Sequence, residues 1–311
     1  MKYIYPDYYD SFHCIASDCT HSCCVGWEID IDPDSMERFL KVPGALGEKL
    51  KKNISSDGEP HFILGERERC PFLNESGLCE LILALGEDCL CDICAEHPRF
   101  YNELPGRVEY GVGMCCEEAV RLLVSGKEPV KLLLEEEDDD GGEDEEEFSE
   151  LTRLRDTILS LLNSPGAFMS RMEKILSLAG KRFVCFSPRE IAEFYLALER
   201  MDEGWTVLLE EMKKFFSAPE LFDALDDIRY TRIAHYFIFR HFLSARTKAE
   251  AAELLVFAFL STMTVCFLDH LGYAEDALRL YSAEIEYSDE NIGRITEAAE
   301  SSKLVFCENI L

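Results

Sequence analysis

Four cysteines fall within eleven positions in FHCIASDCTHSCCVGW, as Cys14, Cys19, Cys23 and Cys24, and the last two are adjacent. Cys70 and Cys79 follow with eight residues between them, then Cys89, Cys91 and Cys94, then the adjacent pair Cys115 and Cys116. Eleven of the 14 cysteines therefore lie at or before Cys116, while Cys185, Cys266 and Cys307 stand singly in the rest of the chain. Thiolates bind Zn²⁺ four at a time and hold iron–sulfur clusters at similar stoichiometry, so this loading points to an inorganic centre built from separated segments. Disulfides are the alternative. The start, MKYIYPDYYDSF, has neither the apolar stretch nor the cleavage site of an export signal, so a cytoplasmic location, where thiols stay reduced, is expected.

Free cysteines are also common as small buried hydrophobes, and that reading suits Cys185, Cys266 and Cys307. It suits the adjacent pairs badly, because consecutive side chains on a strand point to opposite faces. CDIC, Cys91 to Cys94, has the spacing of a redox pair but no surrounding βαβ pattern. A C-x3-C-x2-C cluster signature beginning at Cys19 would need a cysteine where Gly26 stands. GVGMCC, at 111–116, lacks the third glycine and following acid of a dinucleotide fingerprint. His13, His21 and His97 neighbour cysteines and are alternative metal ligands, and Arg99 reads as part of a turn after Pro98. Trp27 reads as apolar cover for the centre. Tyr236, Arg240 and His241 are candidates to line a substrate cleft between the domains, the alternative being the polar edge of a core helix.

The 311 residues, 47% hydrophobic, are enough for one large or two ordinary domains. Net charge is −30, and 11 of the acids sit in EEEDDDGGEDEEE at 135–147, so the remainder stays strongly acidic. Such a field repels phosphate backbones and favours basic partners, which argues against nucleic acid. The most apolar stretch, LLVFAFLSTMTVCFL at 254–268, is shorter than a bilayer span and reads as a core helix, so no membrane is expected.

The acidic run cannot bury anything and marks a boundary. The expected organisation is a cysteine-rich metal- or iron–sulfur-binding domain at 1–134, an acidic linker or loop at 135–148 and a helical domain at 149–311. The fold class is α+β, a small metal- or cluster-binding unit followed by a mostly all-α domain. In the first part CVGWEIDID reads as a strand and DPDSMERFLKV as a helix capped by Asp32 with Pro33 in its first turn. CPFLNESGLCEL reads as a hairpin, ELILALG and EDCLCDICAEH as short helices, and RVEYGVGM as a strand leading into the helix CCEEAVRLLVSG. In the second, helices are predicted near 150–163, 167–180, 188–216, 219–244, 248–271 and 288–303.

The ordered blocks FHCIASDCTHSCCVGWEIDID, CPFLNESGLCELILALGEDCL, CAEHPRFY and CCEEAVRLL resemble the flagellin lysine-N-methylase family and, more widely, cysteine-rich zinc- or iron-chelating domain proteins. The resemblance covers residues 9 to about 125, with a looser likeness in YTRIAHYFIFRHFL. It implies eight ligand cysteines, Cys14, Cys19, Cys23, Cys24, Cys70, Cys79, Cys94 and Cys116, around a 4Fe-4S iron–sulfur cluster or zinc. This chain departs from the family pattern at Cys115, Glu117 and His97, and Cys89 and Cys91 are extra thiols. The implied function is a methyltransferase carrying methyl from S-adenosylmethionine to lysine of a protein substrate such as flagellin. The alternative is a non-catalytic metal-binding sensor or docking protein. No catalytic residue and no S-adenosylmethionine pocket is identifiable from the sequence.

Overall fold

The computed structural model describes residues 1–55, 57–136, 146–181, 187–216 and 220–300. The chain forms two compact units: one of 13–100 with 116–118, cysteine-rich, and one of 1–12, 101–115 and the described residues of 119–311, helix-rich. The acidic stretch expected as a linker lies mostly outside the described residues, and the unit that holds the helices also takes in residues 1–12 and 101–115. In chain order the regular elements begin with strand β1 (Lys2–Pro6), helices α1 (Pro33–Leu40) and α2 (Gly44–Asn53), strands β2 (Ile54–Ser55) and β3 (His61–Phe62), and short helices α3 (Glu80–Leu85) and α4 (Asp92–Glu96). Strands β4 (Arg99–Leu104) and β5 (Arg107–Val112), helix α5 (Glu117–Ser125) and strand β6 (Leu132–Glu136) follow. The remaining elements are helices α6 (Glu146–Leu162), α7 (Phe168–Leu178), α8 (Pro188–Leu196), α9 (Glu203–Met212), α10 (Glu220–Ala224), α11 (Ile228–His241), α12 (Lys248–Leu268), α13 (Ala274–Tyr281) and α14 (Asp289–Glu300). The fold is α+β, mostly helical with a small sheet.

In the cysteine-rich unit, α1 starts as its sequence dictates: the Asp32 carboxylate accepts the Ser35 N–H at 2.8 Å and Pro33 occupies the first turn. Gly47 in α2 is required by proximity, since a Cβ there would stand 1.9 Å from the Val42 carbonyl oxygen. The strand expected over CVGWEIDID shrinks to isolated bridges, Val25 with Arg69 and Asp30 with His61. The physical reason is the lack of a long partner: β2 and β3 pair over two residues only. CPFLNESGLCEL does turn back on itself, with Leu73 bridged to Cys79 and the Asn74 side chain accepting the N–H groups of Ser76 and Leu78, each at 2.9 Å.

In the helix-rich unit the sheet runs β4-β5-β1-β6, with β1 parallel to β5 and antiparallel to β6. Of these strands only β5 was readable from its own residues. Along β1 and β5 the side chains alternate, so that Ile4 and Glu109 share one face and Tyr3, Tyr5 and Tyr110 the other. Glu109 is fully buried and accepts two hydrogen bonds from Arg155 of α6, one at 2.7 Å. The long helix expected at 188–216 is two helices, because the Asp202 side chain caps a new start at α9; Asp227 likewise caps α11 within the expected 219–244. Helix α12 is apolar and long enough to cross a membrane by composition, yet fifteen of its residues are buried in this unit. Trp205, Tyr195 and Tyr281 meet edge to face at centroid distances of 5.8–6.0 Å in the core beside it.

Candidate functional site

Twelve of the cysteines are described, and no disulfide joins any of them; Cys185 and Cys307 lie outside the described residues. Cys266 is buried in α12, as expected of a small hydrophobe. In the cysteine-rich unit the thiols sort into two groups. Cys70 and Cys91 are buried members of a core formed by Ile29, Ile31, Phe39, Phe62 and Phe72 among others, and Cys24, Cys79, Cys89 and Cys94 pack against it. Cys14, Cys19, Cys23 and Cys116 form the second group, whose members feel one another's charge. The adjacent pair Cys23–Cys24 is where the two groups meet, which a shared reading as core residues did not explain.

Two sulfur pairs stand within hydrogen-bonding reach. In the Cys23–Cys24 pair the thiol of one stabilises the thiolate of the other: Cys24 is lowered and Cys23 raised. The Cys94 thiol donates to Cys91, lowering Cys91 and raising Cys94. Burial pushes Cys70 up to about 11, and Cys19 likewise to about 11. Each further thiolate is disfavoured by burial and by its neighbours' charge, a penalty that a bound cation removes. In kind and number, therefore, these donors fit a thiolate-held centre. Among the described residues, however, no three His, Cys, Asp or Glu side chains already stand as one metal site; the sulfurs are grouped and paired, not closed into a tetrahedron. Cys91, an extra thiol by sequence, is as central to the inner group as Cys94.

The neighbours of these thiols are specific. Burial favours the protonated form of Glu117, but hydrogen bonds outweigh it: the Thr20 hydroxyl and N–H donate at 2.7 and 2.9 Å, and His21 Nδ1 lies at 3.2 Å. Together they hold its carboxyl down at about 2. The Cys19 thiol lies 3.7 Å from the same carboxylate. His21 thus serves Glu117, and His13 is exposed. His97 packs against Trp27 at a centroid distance of 5.4 Å, and burial pushes it down to about 4. The Trp27 indole N–H donates to the Cys23 carbonyl, so this ring pins the loop that carries the first four cysteines. Arg99 donates to the Ala95 carbonyl at 3.3 Å, closing the turn after α4.

In the helix-rich unit, Tyr236, Arg240 and His241 come together on α11 around a residue that sequence reasoning missed. Glu286 is buried in a π-helical turn and accepts from Tyr236 Oη at 3.0 Å and His241 Nε2 at 2.7 Å, with Arg240 at 3.6 Å. Burial favours protonation of Glu286, but Arg240 and His241 outweigh it and hold the carboxyl below the usual range. Arg240 donates to Tyr236 Oη at 2.6 Å and lies over the Tyr287 ring, 5.0 Å from its centroid. Tyr236 Oη also accepts the Met114 N–H at 3.2 Å, and Asn102 donates to the Arg240 carbonyl at 3.0 Å. The network thus ties α11 to the chain at Met114. Its only local signal was the polar residues interrupting an apolar helix, and Glu286, 45 positions after His241, gave none.

No protein-family model matches the chain, and no solved structure matches it. The lysine-N-methylase of Salmonella typhimurium strain LT2 is 24% identical to it over 233 residues, which is 71% of this chain and 56% of that protein. The lysine-N-methylase of Salmonella choleraesuis strain SC-B67 matches to the same extent. The flagellar biosynthetic protein FliU of Salmonella muenchen is 28% identical over 137 residues, 41% of this chain and 79% of that protein. The chain spans a little over half the length of the two lysine-N-methylases it matches. With its four ordered cysteine blocks, the chain is thus similar, at low identity, to proteins named lysine-N-methylase.

Proposed function

We propose that this protein transfers a methyl group from S-adenosylmethionine to lysine side chains of a protein substrate of the flagellin kind, and that its cysteine-rich unit holds an iron–sulfur or zinc centre. The observation that carries the reading is the similarity over 71% of the chain to proteins named lysine-N-methylase; the flagellar name of the third relative supports the choice of substrate. In the reaction the neutral lysine nitrogen attacks the sulfonium methyl carbon. A C–N bond forms, the C–S bond breaks to leave S-adenosylhomocysteine, and the proton lost from the ammonium must be taken up by a base or water. The strongly acidic chain suits an ammonium-bearing partner.

Cys24, Cys70, Cys79 and Cys94 would hold the centre from the inner group, with Cys91 beside them, and Cys14, Cys19, Cys23 and Cys116 would serve from the outer group. A bound centre supplies cross-links between segments distant in sequence and stabilises a unit with a small apolar core. Trp27, through the Cys23 carbonyl, and Glu117, through Thr20, fix the loop that presents the first four thiols.

Anaerobically purified protein, incubated with methyl-labelled S-adenosylmethionine and flagellin, should yield labelled methyl-lysine by peptide mass spectrometry. Metal and acid-labile sulfide analysis of the same preparation identifies the centre. Absence of both transfer and S-adenosylmethionine binding would remove the enzyme reading and leave a metal-binding docking protein.

A further inference from the structure

The strand order β4-β5-β1-β6 gathers tyrosines from three separate segments onto one face of the sheet. Tyr5 of β1 stacks on Tyr110 of β5, with centroids 4.9 Å apart and planes 16° from parallel. Tyr9, in the turn after β1, stands edge-on to both, 4.8 Å from Tyr110 and 5.8 Å from Tyr5. Tyr101 of β4 lies 6.0 Å from Tyr110 on its other side. Tyr5 is buried beneath the group, Tyr9 and Tyr110 are half-buried, and Tyr101 is 49% exposed, so the cluster reaches solvent through these three rings. The same face carries carboxylates: Glu135 of β6 accepts the Tyr5 hydroxyl at 2.6 Å, and Asp10 is close enough to disfavour ionisation of Tyr5 and Tyr110.

Tyr9, Tyr101 and Tyr110 lie outside the buried core of this unit, which contains Trp205, Tyr195, Tyr281 and Phe237. Ring faces bordered by carboxylates have one complementary ligand chemistry, a cation with an apolar shell: the ring quadrupole attracts the charge and the rings cover the methylene or methyl groups. Arg107, the cation nearest in sequence to Tyr110, belongs to the opposite face, where it contacts Glu109 at 3.4 Å.

We infer that the face formed by Tyr5, Tyr9, Tyr101 and Tyr110, with Asp10 and Glu135, is a docking site for the ammonium group of a lysine side chain of the protein substrate, before or after methylation. The choice of lysine as occupant rests on the proposed lysine-directed function; the cation-binding chemistry does not. The primary ammonium would draw chiefly on the carboxylates, and the methylated form chiefly on the rings.

The full-length protein is titrated calorimetrically with a short peptide carrying one lysine, with its trimethyllysine form and with its norleucine form. The lysine and trimethyllysine peptides should bind and the norleucine peptide should not. Tyr101→Ala, at a half-exposed position that leaves the fold intact by circular dichroism, should weaken binding about tenfold. Tyr101→Phe, which keeps the ring, should restore most of it, and Tyr273→Ala, an exposed tyrosine outside the cluster, should change nothing. Equal binding of the norleucine peptide, or unchanged binding by Tyr101→Ala, overturns the site. Should the peptides bind as stated while flagellin is never methylated, the site stands and the proposed function falls. Methylation with binding indifferent to Tyr101 has the reverse meaning.

Discussion

The cysteine-rich unit buries Ile29, Ile31, Phe39, Leu50, Phe62, Phe72, Leu73 and Leu81 with two sulfurs among them and four more against them. The helix-rich unit buries Trp205, three tyrosines and several phenylalanines at its centre and surrounds α12 almost completely. Apolar area removed from water stabilises in proportion to its size, so the second unit can hold itself by packing. The first has short strands, small helices and thiols whose ionisation its own burial opposes. Under the proposed function, a centre bound by those sulfurs would add to that packing. Charge is handled differently too. The helix-rich unit encloses ion pairs, Glu109 with Arg155 and Glu286 with Arg240, the latter also hydrogen-bonded by His241. The cysteine-rich unit leaves like groups beside each other.

If the cysteine-rich unit holds the proposed centre, removing that centre is the sharpest way to break this comparison. Chelation should cost the cysteine-rich unit on the order of 10 kcal/mol, the scale of structural thiolate sites, and abolish amide exchange protection across 24–94. Protection of α11 and α12 should persist. Equal loss in both units, or none in either, would erase the contrast.

Next in size is Glu109→Ala, which strands the buried Arg155 charge and should cost about 3–5 kcal/mol by urea unfolding. Pairing it with Arg155→Met should recover much of the loss, which a purely steric effect would not.

Acid should act on both units through buried neutral histidines. His235 is held down to about 3 by burial, with Arg155 and Arg232 adding to it, and His97 to about 4. Above the unfolded value of about 6.5 neither contributes. As pH falls below it the unfolded chain takes up protons that the folded chain refuses, so stability drops by about 1.4 kcal/mol per pH unit for each, reaching about 2 kcal/mol each at pH 5. Thermal unfolding from pH 7 to 5 should show the slope. His235→Phe should flatten it for the helix-rich unit alone.

The smallest effect belongs to Asp32, whose carboxylate also accepts the Asp92 N–H at 3.0 Å and so joins the starts of α1 and α4. Asp32→Ala should cost about 1 kcal/mol. In metal-loaded protein the same substitution should lower the chelator concentration at the unfolding midpoint.

Much of the local structure was legible. The Asp32 cap, the turn at Asn74 and the helix after Cys116 rest on contacts a few residues apart, and the apolar run of α12 could only be core or membrane. Less was legible at the sheet. YIYP in β1 is too short to announce a strand, and its partners begin at Arg107 and end at Glu136. The long helices were over-extended because propensity continues through Asp202 and Asp227, whereas their side chains take up the next helix's N–H groups. At the candidate centre the family resemblance implied eight ligand cysteines; the structure sorts the thiols into two groups, with Cys91 in the inner one and Cys23 divided from Cys24.

From its residues alone this chain already determined that thiols from separated segments would be gathered, that a long apolar helix would be enclosed, and where several helices would start, because spacing, caps and hydrophobic runs act within a few positions. Which acid meets which base, and which rings share a surface, only the tertiary structure decided. Glu109 finds Arg155 46 positions away, and Tyr5 finds Glu135 130 positions away. Such pairs form because burial leaves a charge or a hydroxyl no water to turn to, and the partner is whichever complementary group the packed backbone brings near.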